Sequence, residues 1–465
     1  MTDDIERILD HARVNLPAAQ RRWFDLLRIS SISAQPDHAG DCARAAAWLR
    51  DRLAEIGFTA SVRSTARHPV VVAHHPGPGG DAPHILYYGH YDVQPADPLD
   101  LWTSPPFEPT IVDGPHGKRV VARGAVDDKG QTMMWLEALR AWHDIAGGPP
   151  ARITVLIEGE EEIGSPSLED FLEAHAEELR ADIVVISDTG MWDIDTPAIT
   201  TRLRGLLYTQ IDIGAARRDL HSGLYGGSAL NPINLLTRIL GDLKDEGGTI
   251  LIPGFYDDVT ELSPALARQW QSLGFDEKKF LDGIGLSVPA GELGRPALER
   301  LWARPTADIN GIWGGYMGEG SKTVIAAEAH AKLSFRLVPG QEPTKILKGL
   351  HDFLIARLPE DAGAKIQVFG MSQAIEVSTD SVWVRAAQQA LLDEFGKPAV
   401  LVGSGGSIPV VENFSRMLGM DSLLVGFGLD DDQVHSPNEK FELRCFERGL
   451  ASHVRLLARL AEARR

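Results

Sequence analysis

The sequence predicts an α/β protein, in which a domain built on a mixed, mostly parallel sheet is interrupted by a smaller, ferredoxin-like α+β domain. In about the first two hundred residues, short apolar strands alternate with helical patterns, which is typical of a mostly parallel sheet. From about residue 206 the order changes to strand, helix, strand, strand, helix and strand, the split βαβ arrangement of ferredoxin-like domains. After the inserted segment, strand and helix patterns like those of the first domain return. We therefore predict one domain over 1–204 and 376–465, and an inserted domain over 205–375.

The first domain is predicted from three strands, each followed almost at once by side chains that can bind a metal ion. The strands are β-branched or aromatic runs flanked by turn residues: HILYY (84–88), ITVLI (153–157) and DIVVIS (182–187). Helical periodicity occurs over 129–145 and 168–179. Because ligands bind beyond the carboxyl ends of strands in open α/β sheets, we expect the side chains that follow these strands to meet at one edge.

The inserted domain is predicted from alternating strands and two longer helical patterns. Its segments are the strand LLYTQIDIG, the helix NPINLLTRILGDL (231–243), a strand near 307–313, the strand AEAHAKLSFRLV, the helix TKILKGLHDFLIARL (344–358) and the strand AKIQVFG. Residues 245–305 form a long insertion rich in glycine, proline and charge. A helical pattern near 382–394 and the strand SLLVGFG (422–428) continue the first domain.

Composition limits the class of protein. At 465 residues with 43% hydrophobic side chains, the chain can bury a large core. Its net charge of −19 argues against nucleic acid as a partner. The two cysteines, Cys42 and Cys445, imply no disulfide framework and fit a reducing cytoplasm. The N-terminus lacks the features of a signal peptide, and no apolar run approaches the roughly 20 residues that span a bilayer. We therefore predict a soluble, cytoplasmic protein with no membrane partner.

Short motifs contain six acidic and histidine residues that together suit a two-metal hydrolase. These are His90 in GHYDVQP, Asp127 in RGAVDDKG, Glu161 and Glu162 in EGEEEIGS, Asp188 in VVISDTG and His435 in VHSPNEK. Five of them supply the oxygen and nitrogen ligands that a pair of divalent ions needs, and Glu161 is left over to act as a base. Neighbouring glutamates allow this division, since one can coordinate while the other moves a proton.

Each motif also has a simpler reading. A histidine after a strand is more often a surface or core residue, although Asp92 could orient a ligating His90. Asp127 and Asp128 could equally be an N-cap pair, because aspartate is favoured ahead of a helix. The glutamates of EGEEEIGS could form a solvated acidic loop. Directly after a buried strand, however, three carboxylates would repel one another unless cations neutralised them.

The ligand types predict the class of reaction more specifically than they predict which metal ion is bound. Two divalent ions roughly 3.5–4 Å apart suit the hydrolysis of amides or esters. Zinc favours a set of imidazoles and carboxylates, but manganese or cobalt could occupy it, because no thiolate is present to select zinc. Neither cysteine lies in any of the motifs.

With these residues assembled, the chain resembles metallopeptidase family 20 of clan MH, and within it the branch of carnosinase and cytosolic nonspecific dipeptidase. The resemblance covers nearly the whole length, through GHYDVQP, GAVDDKG, EGEEEIGS, RDLHSGLYGG, LSFRLVPG, GGSIPV and HSPNEK in the same order. It implies a zinc-exopeptidase-like catalytic domain and an inserted domain that acts as a lid and in dimerisation.

The resemblance also implies a role for each residue of the metal centre. One metal ion would be held by His90, Asp127 and Asp188, and the other by Asp127, Glu162 and His435. Asp127 would bridge the two through a cis peptide to Asp128. Glu161 would be the general base and then the general acid, and Asp92 would orient His90. Glu160 would lie outside the site.

In the inserted domain, the resemblance implies contacts with the substrate. His221 would stabilise the oxyanion, reaching the active site from the partner subunit of a homodimer. Arg336 would bind a substrate carboxylate, and the loop of Gly405, Gly406 and Ser407 would contact the same end of the substrate. The chain departs from its relatives at Gly403 and Ser404, where they often carry an arginine or threonine followed by glutamate. The loop LDDDQ before Val434 is also unusually acidic, which suggests a part in specificity.

The leading hypothesis is a dimeric, two-metal exopeptidase that acts on dipeptides or similarly short peptides. The main alternative is a hydrolase of N-acyl or N-carbamoyl amino acids that uses the same site, and the small residues Gly403 and Ser404 keep it open. A non-catalytic scaffold would be expected to lose a ligand or the base, and every one is present. A phosphate-ester hydrolase is disfavoured because Arg336 points to a substrate with a carboxylate.

Overall fold

A computed structural model describes residues 2–406 and 408–463 of the chain. These divide into two compact units: Met1–Thr201, Val377–Val402 and Asn413–Arg465 make up the first, and Arg202–Glu376 and Gly403–Glu412 the second. The units divide between Thr201 and Arg202 and between Glu376 and Val377, where the sequence predicted boundaries at 204/205 and 375/376. The segment Gly403–Glu412 groups with the second unit, whereas the sequence assigned it to the first domain.

The helices and strands occur in three runs along the chain. The first run contains α1 (Thr2–Val14), α2 (Leu16–Leu27), α3 (Ala39–Ala54), β1 (Thr59–Arg63), β2 (Val70–His75), β3 (His84–His90), β4 (Thr110–Gly114), β5 (Gly117–Val121), α4 (Lys129–Ala146), β6 (Arg152–Glu158), α5 (Leu168–Ala174), α6 (Ala176–Leu179), β7 (Ile183–Ile186) and β8 (Ala198–Leu203). The second contains β9 (Gly205–Gly214), β10 (Leu220–His221), α7 (Ser222–Tyr225), α8 (Pro232–Gly241), α9 (Pro264–Ser272), α10 (Glu277–Gly283), α11 (Ala297–Trp302), β11 (Thr306–Gly314), β12 (Val324–Ile325), β13 (Glu328–Leu337), α12 (Pro343–Ile355), β14 (Gly363–Ser372) and β15 (Ile375–Glu376). The third contains α13 (Val382–Phe395), β16 (Val400–Ser404), α14 (Pro409–Leu418), β17 (Asp421–Leu424), β18 (Lys440–Glu442) and α15 (Leu443–Glu462).

The central sheet of the first unit is parallel in the middle and antiparallel towards its edges. Its strands run in the order β1-β2-β6-β3-β7-β17-β8, and β16 pairs with β8. The strand β3 is parallel to both β6 and β7, and β17 is parallel to β7. The three strands predicted from apolar runs are therefore neighbours, and their carboxyl ends lie at the same edge. The predicted mixed α/β sheet is confirmed.

The core of the first unit is packed around α4, which is buried on nearly every side. An all-round buried helix has no polar face to turn to solvent, so its position is fixed by its neighbours. Trp135 of α4 stacks on Tyr87 of β3 with 4.6 Å between ring centroids, and Trp23 of α2 stacks on Phe446 of α15 at the same separation. This packing fixes the first turn of α4 and, with it, the loop that carries Asp127.

The second unit is an antiparallel sheet with two helices on one face. Its order is β11-β13-β9-β14, and α8 and α12 pack against it. Side chains along β9 and β13 alternate between buried and half-buried, so one face joins the core while the other stays partly open. The chain order β9, α8, β11, β13, α12, β14 matches the predicted split βαβ arrangement.

The long insertion over 245–305, for which the sequence predicted no individual element, contains three short helices, α9, α10 and α11. Ser263 caps α9 and Asp276 caps α10 through their side chains. Helices of this length depend on such local caps and on tertiary packing, so their hydrophobic periodicity is too short to be recognised.

None of the helices in the described ranges is long and apolar enough to cross a membrane. Both Cys42 and Cys445 are buried and free.

Candidate metal centre

Three adjacent strands of the first unit bring their carboxyl-terminal side chains to one place. His90 is the last residue of β3, and Asp188 follows β7 by two positions. After β6 the chain makes a single 3₁₀ turn, Glu161–Ile163, which begins with the two predicted glutamates. Because β3 is the parallel neighbour of both β6 and β7, these ends converge.

The side chains form two clusters that share one aspartate. In the first, His90 Nε2 lies 3.2 Å from Oδ1 of Asp127 and 3.7 Å from Oδ2 of Asp188. In the second, His435 Nε2 lies 2.9 Å from Oδ2 of Asp127 and 3.1 Å from Oε2 of Glu162. The candidate ligand atoms of each cluster all lie within 4.8 Å of one another. Asp127 thus offers one oxygen to each cluster, which is the arrangement of a bridging carboxylate.

The donor set fits two divalent cations. His90 is completely buried, and its Nε2 makes no well-aligned hydrogen bond within the described residues although two carboxylates face it. A buried polar atom without a hydrogen bond costs free energy unless something else satisfies it. Imidazole nitrogens and carboxylate oxygens are ligands of zinc, manganese and cobalt.

The pKa shifts of the two histidines also indicate that the clusters are suited to cations. Hydrogen bonds with Asp127 and Glu162 raise the pKa of His435 to about 10. Burial opposes a charge on His90, but its acidic neighbours, Asp127 first among them, raise its pKa well above the ordinary value. In the metal-free protein, protons on the two imidazoles therefore neutralise charge that bound cations would otherwise neutralise.

Glu161 belongs to neither cluster. Burial raises the pKa of its carboxyl group well above the ordinary value, and the charges of Asp188 and Asp127 add to this effect while His90 opposes it. A carboxylate with a raised pKa beside a metal centre is suited to accept a proton.

Asp92 connects His90 to the glutamate turn. The carbonyl oxygen of Asp92 lies 3.1 Å from Nδ1 of His90, and since a carbonyl can only accept, Nδ1 carries the hydrogen and Nε2 faces the carboxylates of the first cluster. The carboxylate of Asp92 lies 3.4 Å from the same nitrogen. It also accepts the backbone N–H groups of Glu161 and Glu162, at 3.3 and 3.1 Å. One residue therefore orients a histidine and the turn that carries both glutamates.

Two residues of the motifs have roles that sequence reasoning missed. Gln94 of GHYDVQP donates from Nε2 to Oε2 of Glu162 at 2.9 Å and to the carbonyl oxygen of Glu162 at 3.1 Å. Glu439 of HSPNEK accepts the backbone N–H groups of Gly124, Val126 and Asp127 at 2.9, 3.0 and 3.2 Å. Both residues stand in motifs already recognised, but only the tertiary structure shows what they hold.

The remaining residues around Asp127 fix its loop. The peptide between Asp127 and Asp128 is cis, as the resemblance implied. Asp128 Oδ2 accepts the backbone N–H of His90 at 3.1 Å and the hydroxyl of Thr132 at 2.8 Å. The loop of Asp127 is thus tied to the end of β3, which carries His90, the imidazole of the first cluster.

Glu160 lies outside both clusters. One of its oxygens accepts the Thr65 hydroxyl and the His68 backbone N–H, both at 2.8 Å, and the other accepts the Ser167 backbone N–H at 3.1 Å. These bonds hold the loops on either side of the glutamate turn.

The acidic loop before Val434 is held by a lysine that follows it. Lys440 Nζ lies 2.8 Å from Oδ1 of Asp431 and 2.6 Å from Oδ1 of Asp432. The two carboxylates therefore help to anchor the loop that carries His435.

The predicted substrate-binding residues lie in the second unit. His221 is exposed, and its Nδ1 accepts the backbone N–H of Gly223 at 3.0 Å at the start of α7. Arg336 is half-buried on the open face of the sheet, where its neighbours across the strands are Leu206 and Thr306. Gly405 and Gly406 follow β16, whereas Ser407 lies outside the described residues.

Comparisons with known proteins agree with this geometry. A family model described as peptidase family M20/M25/M40 matches residues 86–459. The chain is 33% identical over 371 residues to the Cys-Gly metallodipeptidase dug1 of Schizosaccharomyces pombe, covering 79% of this chain and 77% of that protein. It is 32% identical over 362 residues to the human Beta-Ala-His dipeptidase, covering 77% of this chain and 70% of that protein. The solved structure of the dipeptidase Dug1p of Saccharomyces cerevisiae superimposes with a TM-score of 0.83 and 26% identity, covering the whole of both chains.

Proposed function

Since this chain belongs to peptidase family M20/M25/M40, we propose that it is a two-metal dipeptidase that hydrolyses the amide bond of dipeptides or similarly short peptides. The observation that carries this proposal is the pair of ligand clusters that share Asp127, with Glu161 beside them in neither cluster. The similarity to named dipeptidases supports the substrate class.

We assign one metal ion to His90, Asp127 and Asp188, and the other to Asp127, Glu162 and His435. Zinc is the proposed ion, with manganese and cobalt as alternatives, because the donor set holds imidazoles and carboxylates but no thiolate. When bound, two such ions polarise a carbonyl group and lower the pKa of a water molecule.

Glu161 is the proposed general base. Its carboxylate accepts a proton from the attacking water and later donates it to the nitrogen of the leaving amine. Its raised pKa, with burial as the main cause, makes it a stronger proton acceptor than an ordinary carboxylate. Asp92 is the proposed positioning residue, because it orients His90 and accepts the N–H of Glu161.

The second unit is proposed to bind the substrate. His221 would donate a hydrogen bond to the oxyanion from the partner subunit of a homodimer, and its exposure supports a role toward another protomer. Arg336 would bind the C-terminal carboxylate in paired hydrogen bonds, with Gly405, Gly406 and Ser407 at the same end. A cytoplasmic location is also proposed, supported by the two free cysteines.

The experiment that tests the function compares free-amine dipeptides with the matching N-acetyl and N-carbamoyl amino acids. The purified protein would be loaded in parallel with zinc, manganese or cobalt. A dipeptidase should give the higher kcat/KM with dipeptides. A preference for acylated amino acids would instead assign the chain to the alternative reaction at the same metal centre.

A further inference from the structure

Arg123 is a buried arginine at which separate loops of the first unit meet. It stands four positions before Asp127, and its side chain is only 1% exposed. Its Nη1 donates to Oε2 of Glu439 at 2.9 Å, and its Nη2 donates to the carbonyl oxygen of Pro95 at 3.1 Å. One planar guanidinium group therefore binds two loops, and the chain that carries it leads directly to a third.

The bond to Glu439 leads to two residues of the second cluster. Glu439 stands four positions after His435, so its bond to Arg123 fixes the end of the loop that carries His435. The carboxylate of Glu439 also accepts the backbone N–H of Asp127 at 3.2 Å. Glu439 is completely buried, and a buried carboxylate keeps its position only where paired charges and hydrogen bonds compensate it. Arg123 therefore holds the group that connects both ligands.

The bond to Pro95 leads to the third residue of that cluster, Glu162. Pro95 directly follows Gln94, whose Nε2 donates to Oε2 and to the carbonyl oxygen of Glu162 at 2.9 and 3.1 Å. Since the proline ring fixes the backbone angle φ of residue 95, a bond at the Pro95 carbonyl limits how far Gln94 can move. Both contacts with Glu162 thus depend on a loop that Arg123 holds.

Further contacts keep this loop against the guanidinium group. The guanidinium carbon lies 5.5 Å from the ring centroid of Trp102, and Trp102 Nε1 donates to the carbonyl oxygen of Ala96 at 2.7 Å. Asn438 Oδ1 accepts the backbone N–H and the hydroxyl of Thr103, at 2.7 and 2.8 Å. The segment 94–103 is therefore packed on the arginine and bonded to the loop that follows the second imidazole.

The first cluster is held mainly by other contacts. His90 ends β3, and Asp128 accepts its backbone N–H at 3.1 Å. Asp188 follows β7, which is the parallel neighbour of β3 and β17. Among the described residues, the contacts of Arg123 lead to all three members of the second cluster but only to the shared Asp127 of the first. Loss of these contacts should therefore affect the second cluster more.

We propose that Arg123 is a positioning residue that assembles the second metal cluster, because it holds the loops of His435 and Gln94 to the loop of Asp127. The inference rests on the proposed function for the assignment of the two metal ions. Lysine at this position would keep a positive charge opposite Glu439. As a single point charge, however, it lacks the two separate donors that bind both loops at once. The planar fork of arginine, and not its charge alone, should therefore be required.

The test titrates the full-length, metal-free protein with zinc in competition with a chromophoric chelator, and records thermal unfolding in parallel. In Arg123→Lys, one equivalent of zinc should bind about 10–100-fold more weakly, the range for a lost partner behind a metal ligand, while the other keeps its affinity. Arg22→Lys is the matched control, because Arg22 also donates from Nε and Nη2 to the two oxygens of a buried carboxylate in this unit, that of Glu137. The control should leave both zinc affinities unchanged.

Two more variants identify the equivalent and test each arm. Gln94→Leu removes the bond to Glu162 directly, so in the double variant its effect and that of Arg123→Lys should add to less than their sum. Pro95→Gly leaves the buried ion pair intact but frees φ at residue 95, so it remains informative if the lysine variant does not fold. It should weaken the same equivalent by a smaller factor.

Unchanged zinc affinities in the folded variants would overturn the proposal. So would an equal loss for both equivalents, which a general loosening of the fold predicts, or a lower melting temperature with both affinities intact, which a purely structural role predicts. If the wild type bound fewer than two zinc ions, the assignment of the ions would fail and this inference with it. If it bound two but hydrolysed no dipeptide, only the proposed function would fail, and the titration would still decide the role of Arg123.

Discussion

Replacement of Gln94 by leucine should weaken one of the two metal sites and leave the other unchanged. Gln94 donates to Oε2 of Glu162, and this is the same oxygen that faces His435. The bond therefore fixes the atom that we assign as a ligand of the second metal ion. A hydrogen bond to a charged group contributes about 1.5–3 kcal/mol, and loss of a partner behind a metal ligand typically costs about 10–100-fold in metal affinity. Both estimates give a loss of metal affinity of about 10–100-fold for this variant.

The assay is a competition titration of the metal-free protein with zinc against a chromophoric chelator, which separates a tight and a weak equivalent. In Gln94→Leu, one equivalent should weaken about 10–100-fold while the other keeps its affinity. Gln389→Leu is the matched control, because Gln389 also donates to a carboxylate, that of Asp393 at 2.7 Å, but on the exposed surface of α13. If the affinity for both equivalents fell, or if neither affinity changed, the assignment of Glu162 to a single metal ion would be refuted.

Three other changes test the same centre. Glu161→Gln should keep both metal ions by elemental analysis but lose about 10²–10⁴ in kcat, and full activity would contradict its role as the base. His221→Ala should lower kcat by about 10²–10³-fold with the metal content intact, and a variant that purifies without metal would count against a role confined to the oxyanion. Because the pKa of His435 is raised to about 10, a cation must displace its proton throughout the neutral range. Metal affinity should therefore keep rising from pH 7 to 9, with protons released, and calorimetry in buffers of different ionisation enthalpy would show no such release if the ring were already neutral.

The metal centre could be predicted from the sequence because its residues follow local patterns. His90, Glu162 and Asp188 each stand just beyond an apolar strand, and parallel strands bring such positions to one edge. The order of the motifs along the chain then identified the family. Neither kind of evidence depends on knowing which side chains touch.

The supporting contacts could not be predicted because they depend on how the folded chain places particular side chains, and not on local residue patterns. No residue pattern around Gln94 indicates that its amide group reaches Glu162. The acidic residues Asp431 and Asp432 likewise give no sign in the sequence that they pair with Lys440. Gly403 departs from the pattern of the relatives, and its close approach to Trp302 gives it a packing role that the sequence alone does not indicate. Such roles depend on tertiary proximity, which a single sequence does not record.

The position of Glu439 sets an order in which the centre can form during synthesis. This residue, four positions after His435, accepts the backbone N–H of Asp127, which lies 312 residues earlier in the chain. The ribosome makes all three residues of the first cluster by Asp188, yet the loop of the shared aspartate lacks its acceptor until nearly the whole chain has been translated. A chain that ends before His435 therefore lacks both a member of the second cluster and the group that holds Asp127 in place. The second cluster is complete only when nearly all of the chain has been made.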